Sequence, residues 1–245
     1  MLEILKNWAT EIVAVIALLQ PWVIAAWRRF VRRGAVEIYP TGTIEIGYSG
    51  FGATIGLQGT LRARDRDLFI CLIHLELVRE RDQYRREFEW GLFRSFRVIV
   101  GRPQELALAL PAGFMLITSQ PFRYNIQFHD LDLQGDIRPL LEQLQQAWVQ
   151  ATAAPGGMVY DQFAMTPQHV GAYTEVNRRC YWEVGTYRLT LSVETARPDR
   201  HFEQTWSFEL SQQDVNRLRL NPIVVLWEVC GQPVSQYYFV TARYV

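Results

Sequence analysis

The chain predicts a mainly β protein. Its body is expected to be an antiparallel β-sandwich, one large or two small, with an apolar helix before it and one amphipathic helix inserted in it. Three observations predict this. After Gly34, apolar and polar residues alternate in short runs, broken by glycine, proline and charged turns at roughly 8–12-residue spacing. No helical pattern separates most of those runs, which disfavours a parallel α/β sheet. Ahead of them, the 245-residue chain carries one long apolar run that stops at a cluster of arginines.

Residues 1–34 hold that run. From Ile12 to Trp27 only Gln20 and Pro21 interrupt it, and Arg28, Arg29, Arg32 and Arg33 follow. A continuous helix from Trp8 to Phe30 would span about 34 Å at 1.5 Å per residue, close to a hydrocarbon core of ~30 Å. Trp8 lies near one end and Trp22 and Trp27 toward the other, where tryptophan favours the membrane interface. Lys6 is the only base upstream, and Glu3 and Glu11 offset it. The positive-inside rule then puts the body on the cytoplasmic side. The expectation is a single-pass anchor with the lipid bilayer as partner through residues 8–30. A secretory signal would carry its charge before the run and a small-residue cleavage site after it. An interfacial helix would show a strong polar face. A helix buried in an oligomer is the third rival, and Gln20-Pro21 is where a kink or an interhelical contact would sit.

Residues 35–133 read as the first strands of the sandwich. Val36 and Ile38, then Ile44, Ile46 and Tyr48, alternate on either side of Pro40-Thr41-Gly42, which predicts a hairpin. Gly47 to Gly56 reads as a wide turn. Leu68 to Val78 is a long strand after the charged turn Arg62–Asp67. Arg79–Arg86 is a polar hairpin tip, and Glu87 to Phe93 returns. Runs around Phe96, Leu106–Leu110, Phe114–Thr118 and Phe122–Leu133 follow.

Residues 134–180 are expected to be a helix and a variable loop. Asp136 opens the helix, and Ile137, Leu140, Leu141, Leu144 and Trp148 recur at helical spacing, so it covers a sheet edge or end. Residues 158–179 show no clear period and suit a recognition loop. Residues 181–245 are expected to complete the same or a second sandwich. Tyr187, Leu189, Leu191 and Val193 alternate, and Phe202–Leu210 is their partner strand. Ser211 to Asp214 resembles a capping box ahead of a short helix. Ile223–Cys230 and Tyr237–Val245 read as the last two strands. The turn glycine followed by Tyr-x-Leu-x-Leu-x-Val resembles the late strand of Ig-like and fibronectin-like domains. Over about a dozen residues, that likeness implies an Ig-like or related sandwich and no activity.

Composition excludes several functions. Acids and bases balance at 25 each, so no global field draws the chain to nucleic acid, and no nucleic-acid partner is expected. Lys6 is the only lysine, so the body has no P-loop, Schiff-base or kinase-strand lysine. Cys71, Cys180 and Cys230 form no CxxC pair, which supports neither zinc nor a disulfide framework and fits a reducing compartment. Gly47-Tyr48-Ser49-Gly50 lacks the second glycine of a nucleophile elbow, because Phe51 stands there. His74 is alone on its strand. Asp130 and Asp132, if on a strand, would share a face and could hold a divalent ion; a polar strand end explains them equally. No catalytic, cofactor-binding or metal-ligating residue is therefore assigned, and no cofactor is expected. The expected function is that of a membrane-anchored module that recruits a protein partner or a second copy of itself. The alternatives are a structural subunit of a membrane-bound assembly, and a hydrolase-type enzyme whose site gathers His129, His169 and an acid from distant segments.

Overall fold

The computed structural model describes residues 17–24, 34–97, 105–153, 156–196, 201–234 and 236–244. Among the described residues ten strands form: β1 (Ala35–Ser49), β2 (Gly52–Arg64), β3 (Leu68–Arg79), β4 (Tyr84–Arg97), β5 (Glu105–Ala109), β6 (Phe114–Leu116), β7 (Phe122–His129), β8 (Gly185–Thr195), β9 (His201–Leu210) and β10 (Val240–Arg243). All described pairings are antiparallel and belong to one sheet, in the order β10-β1-β2-β7-β4-β3-β8-β9, with β5 on β4 and β6 on β3. A bridge from Phe208 to Tyr244 brings β9 against the strand at the other end of that path, so the sheet is nearly closed. The C-terminal strands thus join the sheet of the first seven: β8 pairs with β3 and β10 with β1.

Period-2 alternation sets which side is core. In β3, Ile73, Leu75 and Leu77 are buried, while His74 and Glu76 lie toward the outer face. In β4, Phe88 and Trp90 point inward between the exposed Glu87 and Glu89. Each buried Leu, Ile or Phe contributes about 1.5–3 kcal/mol of burial, so a one-residue slip in either strand would reverse that gain along its whole length.

Helices close one end of the sheet. They are α2 (Leu131–Ala153), α3 (Tyr160–Phe163), α4 (Pro167–Arg179), α5 (Gln212–Leu218) and α6 (Asn221–Val229). α2 packs on β2, α6 on β1, and α4 on both α2 and α6. Two polar contacts fasten this cap. The Tyr48 hydroxyl donates to the Val176 carbonyl at 3.3 Å, and the Trp182 indole donates to the Gly47 carbonyl at 3.2 Å. At the opposite end the chain enters the body beside the β2–β3 turn. A Cβ built on Gly34 would lie 2.7 Å from Arg66 Cγ and 3.1 Å from Leu68 Cδ2.

A further helical stretch, α1, is described over residues 17–24 and runs through Gln20-Pro21. The rest of the segment expected to be an anchor, residues 8–30, lies outside the described residues. Among the described residues no helix is long and apolar enough to cross a membrane.

Several local expectations are corrected. Residues 36–48 are one strand, not a hairpin: β1 runs on past Pro40, and its register against β2 shifts between Pro40 and Ile44. Gly42 takes φ +91° there, so the glycine serves a bulge, which local pattern alone does not distinguish from a turn. The glycine-dense stretch is a tight hairpin, with Ser49 paired to Gly52 across Gly50-Phe51, and not a wide turn. Gly52, at φ +82°, supplies the positive φ.

The insert helix begins at Leu131, five residues before Asp136. Residues 158–179 contain α3 and the whole of α4 and are not an open loop; Thr166 caps α4 by accepting from the His169 N–H. Ile223–Val229 is helical and Cys230 is its C-cap, so Ile223–Cys230 is not a strand. Pro222 sits in the first turn of α6, where its missing N–H costs nothing. Burial of Val224, Val225 and Leu226 together erases any helical period in that stretch. The capping box at Ser211 and Asp214 forms as expected.

Asn221 is fully buried at the start of α6. Its Nδ2 donates to the Tyr238 carbonyl at 2.8 Å, and its Oδ1 accepts from the Tyr238 N–H at 2.7 Å. This clamp leads the chain back to β10. Asn221→Ala leaves a backbone donor and acceptor without partners, so a loss of about 2–4 kcal/mol is expected. Urea denaturation followed by tryptophan fluorescence checks it, and a midpoint equal to the parent protein's would refute the clamp.

Candidate functional site

The outer face of β3 and β4 carries a cleft of about 350 Å³. Register builds it. His74 stands opposite Glu89, and Glu76 opposite Glu87. The β3–β8 register shifts between Ile70 and Leu72, and Leu72 then pairs with Glu194. The first turn of α2 adds Leu131 and Asp132. Leu72 and Leu131 supply its apolar part, and Glu87, Glu89, Asp132 and Glu194 surround them. The His74 Nδ1 lies 3.7 Å from a Glu194 carboxylate oxygen. Among the described residues no arginine or lysine lines the cleft. Just beyond it, Arg85 pairs with Glu76 at 3.0 Å.

Such a cleft suits a group that is cationic at its tip and apolar along its stem, the chemistry of an arginine or lysine side chain. Other cavities differ in charge. One of about 420 Å³ between the β1–β2 hairpin, α2 and α6 carries both signs, with Arg138, Glu142 and Glu228. One of about 300 Å³ between α2 and α4 carries, among the described residues, a single charged side chain, Glu175. Among the described residues no group of three or more His, Cys, Asp or Glu is placed to hold a metal ion.

The residues singled out in the sequence fall in separate places. Asp130 and Asp132 do not share a strand face, because β7 ends at His129 and both lie where α2 begins. Asp132 is exposed in the cleft, whereas Asp130 is fully buried. Asp130 Oδ1 accepts from the Leu133 N–H at 2.9 Å and so caps α2. Its Oδ2 accepts from the Tyr181 hydroxyl at 3.1 Å and lies 3.8 Å from Arg86 Nε. Burial raises its pKa, opposed by the Leu133 N–H, Arg86 and Tyr181.

His129 points elsewhere. Its ring centroid is 5.4 Å from that of Phe51, and its Nδ1 has no hydrogen-bond partner among the described residues. Burial holds its pKa down, with help from Arg94. His169 lies in α4 with its Nε2 2.9 Å from the Tyr160 hydroxyl, and burial lowers its pKa too. The partners of His129 and His169 do not overlap. His201 is exposed beside Glu203 at 3.8 Å. Cys71 is exposed and free; Cys180 and Cys230 are buried, and burial pushes their thiols up to about 12 and about 11. Of the cleft residues, only His74 and Asp132 drew notice in the sequence. The alternation Glu87-Phe-Glu89 held the signal for two more, but register was needed to add Glu194.

No protein-family model matches the chain, and no curated protein matches it. Among solved structures, the chain is similar to a family 123 glycoside hydrolase from Clostridium perfringens, at 8% identity and a TM-score of 0.33, over 73% of this chain. The match spans 27% of that enzyme's chain.

The buried titratable groups predict the pH dependence of stability. His129 and His169 have folded pKa values below the ordinary 6.5. The unfolded chain therefore binds more protons there, and stability falls as pH drops below 6.5. Asp130 has the opposite sign: its folded pKa lies above 3.8, so its contribution falls as pH rises from 3.8 through the folded value. Asp130→Asn keeps an acceptor for the cap and removes that fall, changing stability by less than about 1 kcal/mol near neutrality. Asp130→Ala loses the cap and the Tyr181 contact and costs about 2–3 kcal/mol. Urea titrations between about pH 4 and pH 8 separate these outcomes. Equal losses in both variants would contradict the capping role.

Proposed function

We propose that this is a single-pass membrane-anchored binding protein: residues 8–30 lie in the bilayer, and the body on the cytoplasmic side recruits a partner through the acidic cleft. The observation that carries the reading is the apolar run ended by Arg28, Arg29, Arg32 and Arg33, joined directly to the body at Gly34. α1 supports it. All eight of its residues are exposed, with Leu18 at 74% and Trp22 at 75%, which is costly in water and favourable in lipid. The body is proposed as an Ig-like or related sandwich, a reading supported by the inward–outward alternation of β3, β4 and β8. The partner's contact is a basic segment, since among the described residues carboxylates supply the charge of the cleft.

The full chain is expected to stay with membranes through a carbonate wash and to leave them only in detergent. Recovery in the wash would overturn the anchor. A fluorescent oligo-arginine peptide is expected to bind the detergent-solubilised protein. Affinity should fall steeply with salt and about tenfold in Glu87→Gln/Glu89→Gln. Unchanged affinity in that double variant would remove the cleft from the reading.

A further inference from the structure

We infer that the end of the body at which the chain enters rests on the bilayer surface, with Phe69, Met115 and Ile117 in the headgroup layer. The inference rests on the anchor reading and adds an orientation and a lipid contact to it.

Phe69 and Met115 are paired across β3 and β6, so their side chains share a face. Ile117 lies two residues beyond Met115, on the same side of the extended chain. All three are exposed, at 43%, 55% and 41%. Leu108 and Leu110, on β5 and just after it, are exposed at 56% and 79% on the segment leading into β6. Beneath β6, Phe114 stacks on Phe122 at 4.2 Å and meets Phe93 edge-on at 6.0 Å. These three rings are only half-buried, so the apolar character continues inward at this end.

What covers this face follows from where the chain arrives. Gly34 lies against Arg66 and Leu68, and Leu68 is the neighbour of Phe69. Arg33, the last of the four arginines that end the apolar run, directly precedes Gly34, about 3.8 Å along the chain. A segment that leaves the bilayer there has no spacer with which to hold this end away from the surface. Exposed aliphatic and aromatic side chains beside arginines fit the headgroup boundary, where the former reach the acyl region and the latter meet phosphates. The end is also held in shape. Asp67 accepts from the Thr118 N–H at 2.8 Å and the Thr118 hydroxyl at 3.0 Å, tying the loop after β6 to the β2–β3 turn.

Cys71 supplies the reporter: it is exposed two residues from Phe69, while Cys180 and Cys230 are buried. The full chain is reconstituted in vesicles of phosphatidylcholine and phosphatidylserine with an environment-sensitive fluorophore on Cys71. A shallow spin-labelled lipid is expected to quench it strongly. The same fluorophore on Gln83→Cys, made in a Cys71→Ser background, sits in the β3–β4 turn at the other end of β3 and is expected to stay unquenched. Met115→Glu/Ile117→Glu should lose quenching at Cys71 while remaining resistant to carbonate. Carbonate-resistant protein with equal, weak quenching at both positions would overturn the orientation and leave the anchor standing. So would Cys71–Cys71 cross-linking without quenching, which would make this face a contact between copies. Release into carbonate would instead overturn the anchor.

Discussion

The buried carboxylate of Asp130 is the point at which the sheet hands over to the helices. Its backbone N–H donates to the Ala53 carbonyl at 3.2 Å on β2, and its carbonyl accepts from the Gln134 N–H at 2.9 Å in α2. Its side chain caps α2, accepts from Tyr181 and lies near Arg86 on β4. One residue thus fixes two strands, the first turn of the long helix and the segment leading into β8. Burying it carries a desolvation cost, which its raised pKa records. The site is tolerable because both oxygens are engaged. A second polar group of this kind, Arg79, forks onto Asp82 at 2.9 and 2.7 Å and reaches the Tyr181 carbonyl at 3.1 Å. It pins the β3–β4 turn to the same Tyr181 segment, so the helical end is held by directional bonds as well as by packing.

The opposite end is held differently. There the fixed points are the Asp67–Thr118 contacts and a half-buried aromatic cluster, with apolar side chains left outside. The body is therefore asymmetric along its strands. One end is sealed by helices and buried hydrogen bonds. The other joins the N-terminal segment and leaves Phe69, Leu108, Leu110, Met115 and Ile117 exposed.

Most strands were legible because half-buried β structure leaves a period of 2 that single residues obey. β3, β4, β8 and β9 lie where alternation put them, and the capping box before α5 was readable because its bonds are local. What was not legible depended on neighbours distant in sequence. Pro40-Thr41-Gly42 carries turn chemistry, yet β2 pairs with β1 on both sides of it. α6 is so enclosed that its sequence reads as a buried strand. Asp130 looked like a strand residue because its partners are one turn of an unseen helix and a tyrosine 51 positions away. The cleft has the same history: its acids are visible singly, and only register brings Glu89 beside His74 and Glu194 beside Leu72.

Near-closure of the sheet constrains how a partner can be met. β9 and the residue that follows β10 meet at the Phe208–Tyr244 bridge, so the two ends of the strand path are in part covered against strand addition. Side chains on the outer face offer another means of recognition, and there the acidic cleft is available. On the proposed orientation, Leu72 and Glu194 stand three residues along β3 from Phe69, or about 10 Å from the surface. That is just beyond the ~8 Å screening length at physiological salt, so anionic headgroups weaken the cleft's pull on a cation only modestly. It is also close enough that a basic segment emerging from the same bilayer can reach it within a few residues. On that proposed orientation a membrane-resident partner would be favoured over a freely diffusing one, because a tether to the same surface would raise the effective concentration of a weak contact.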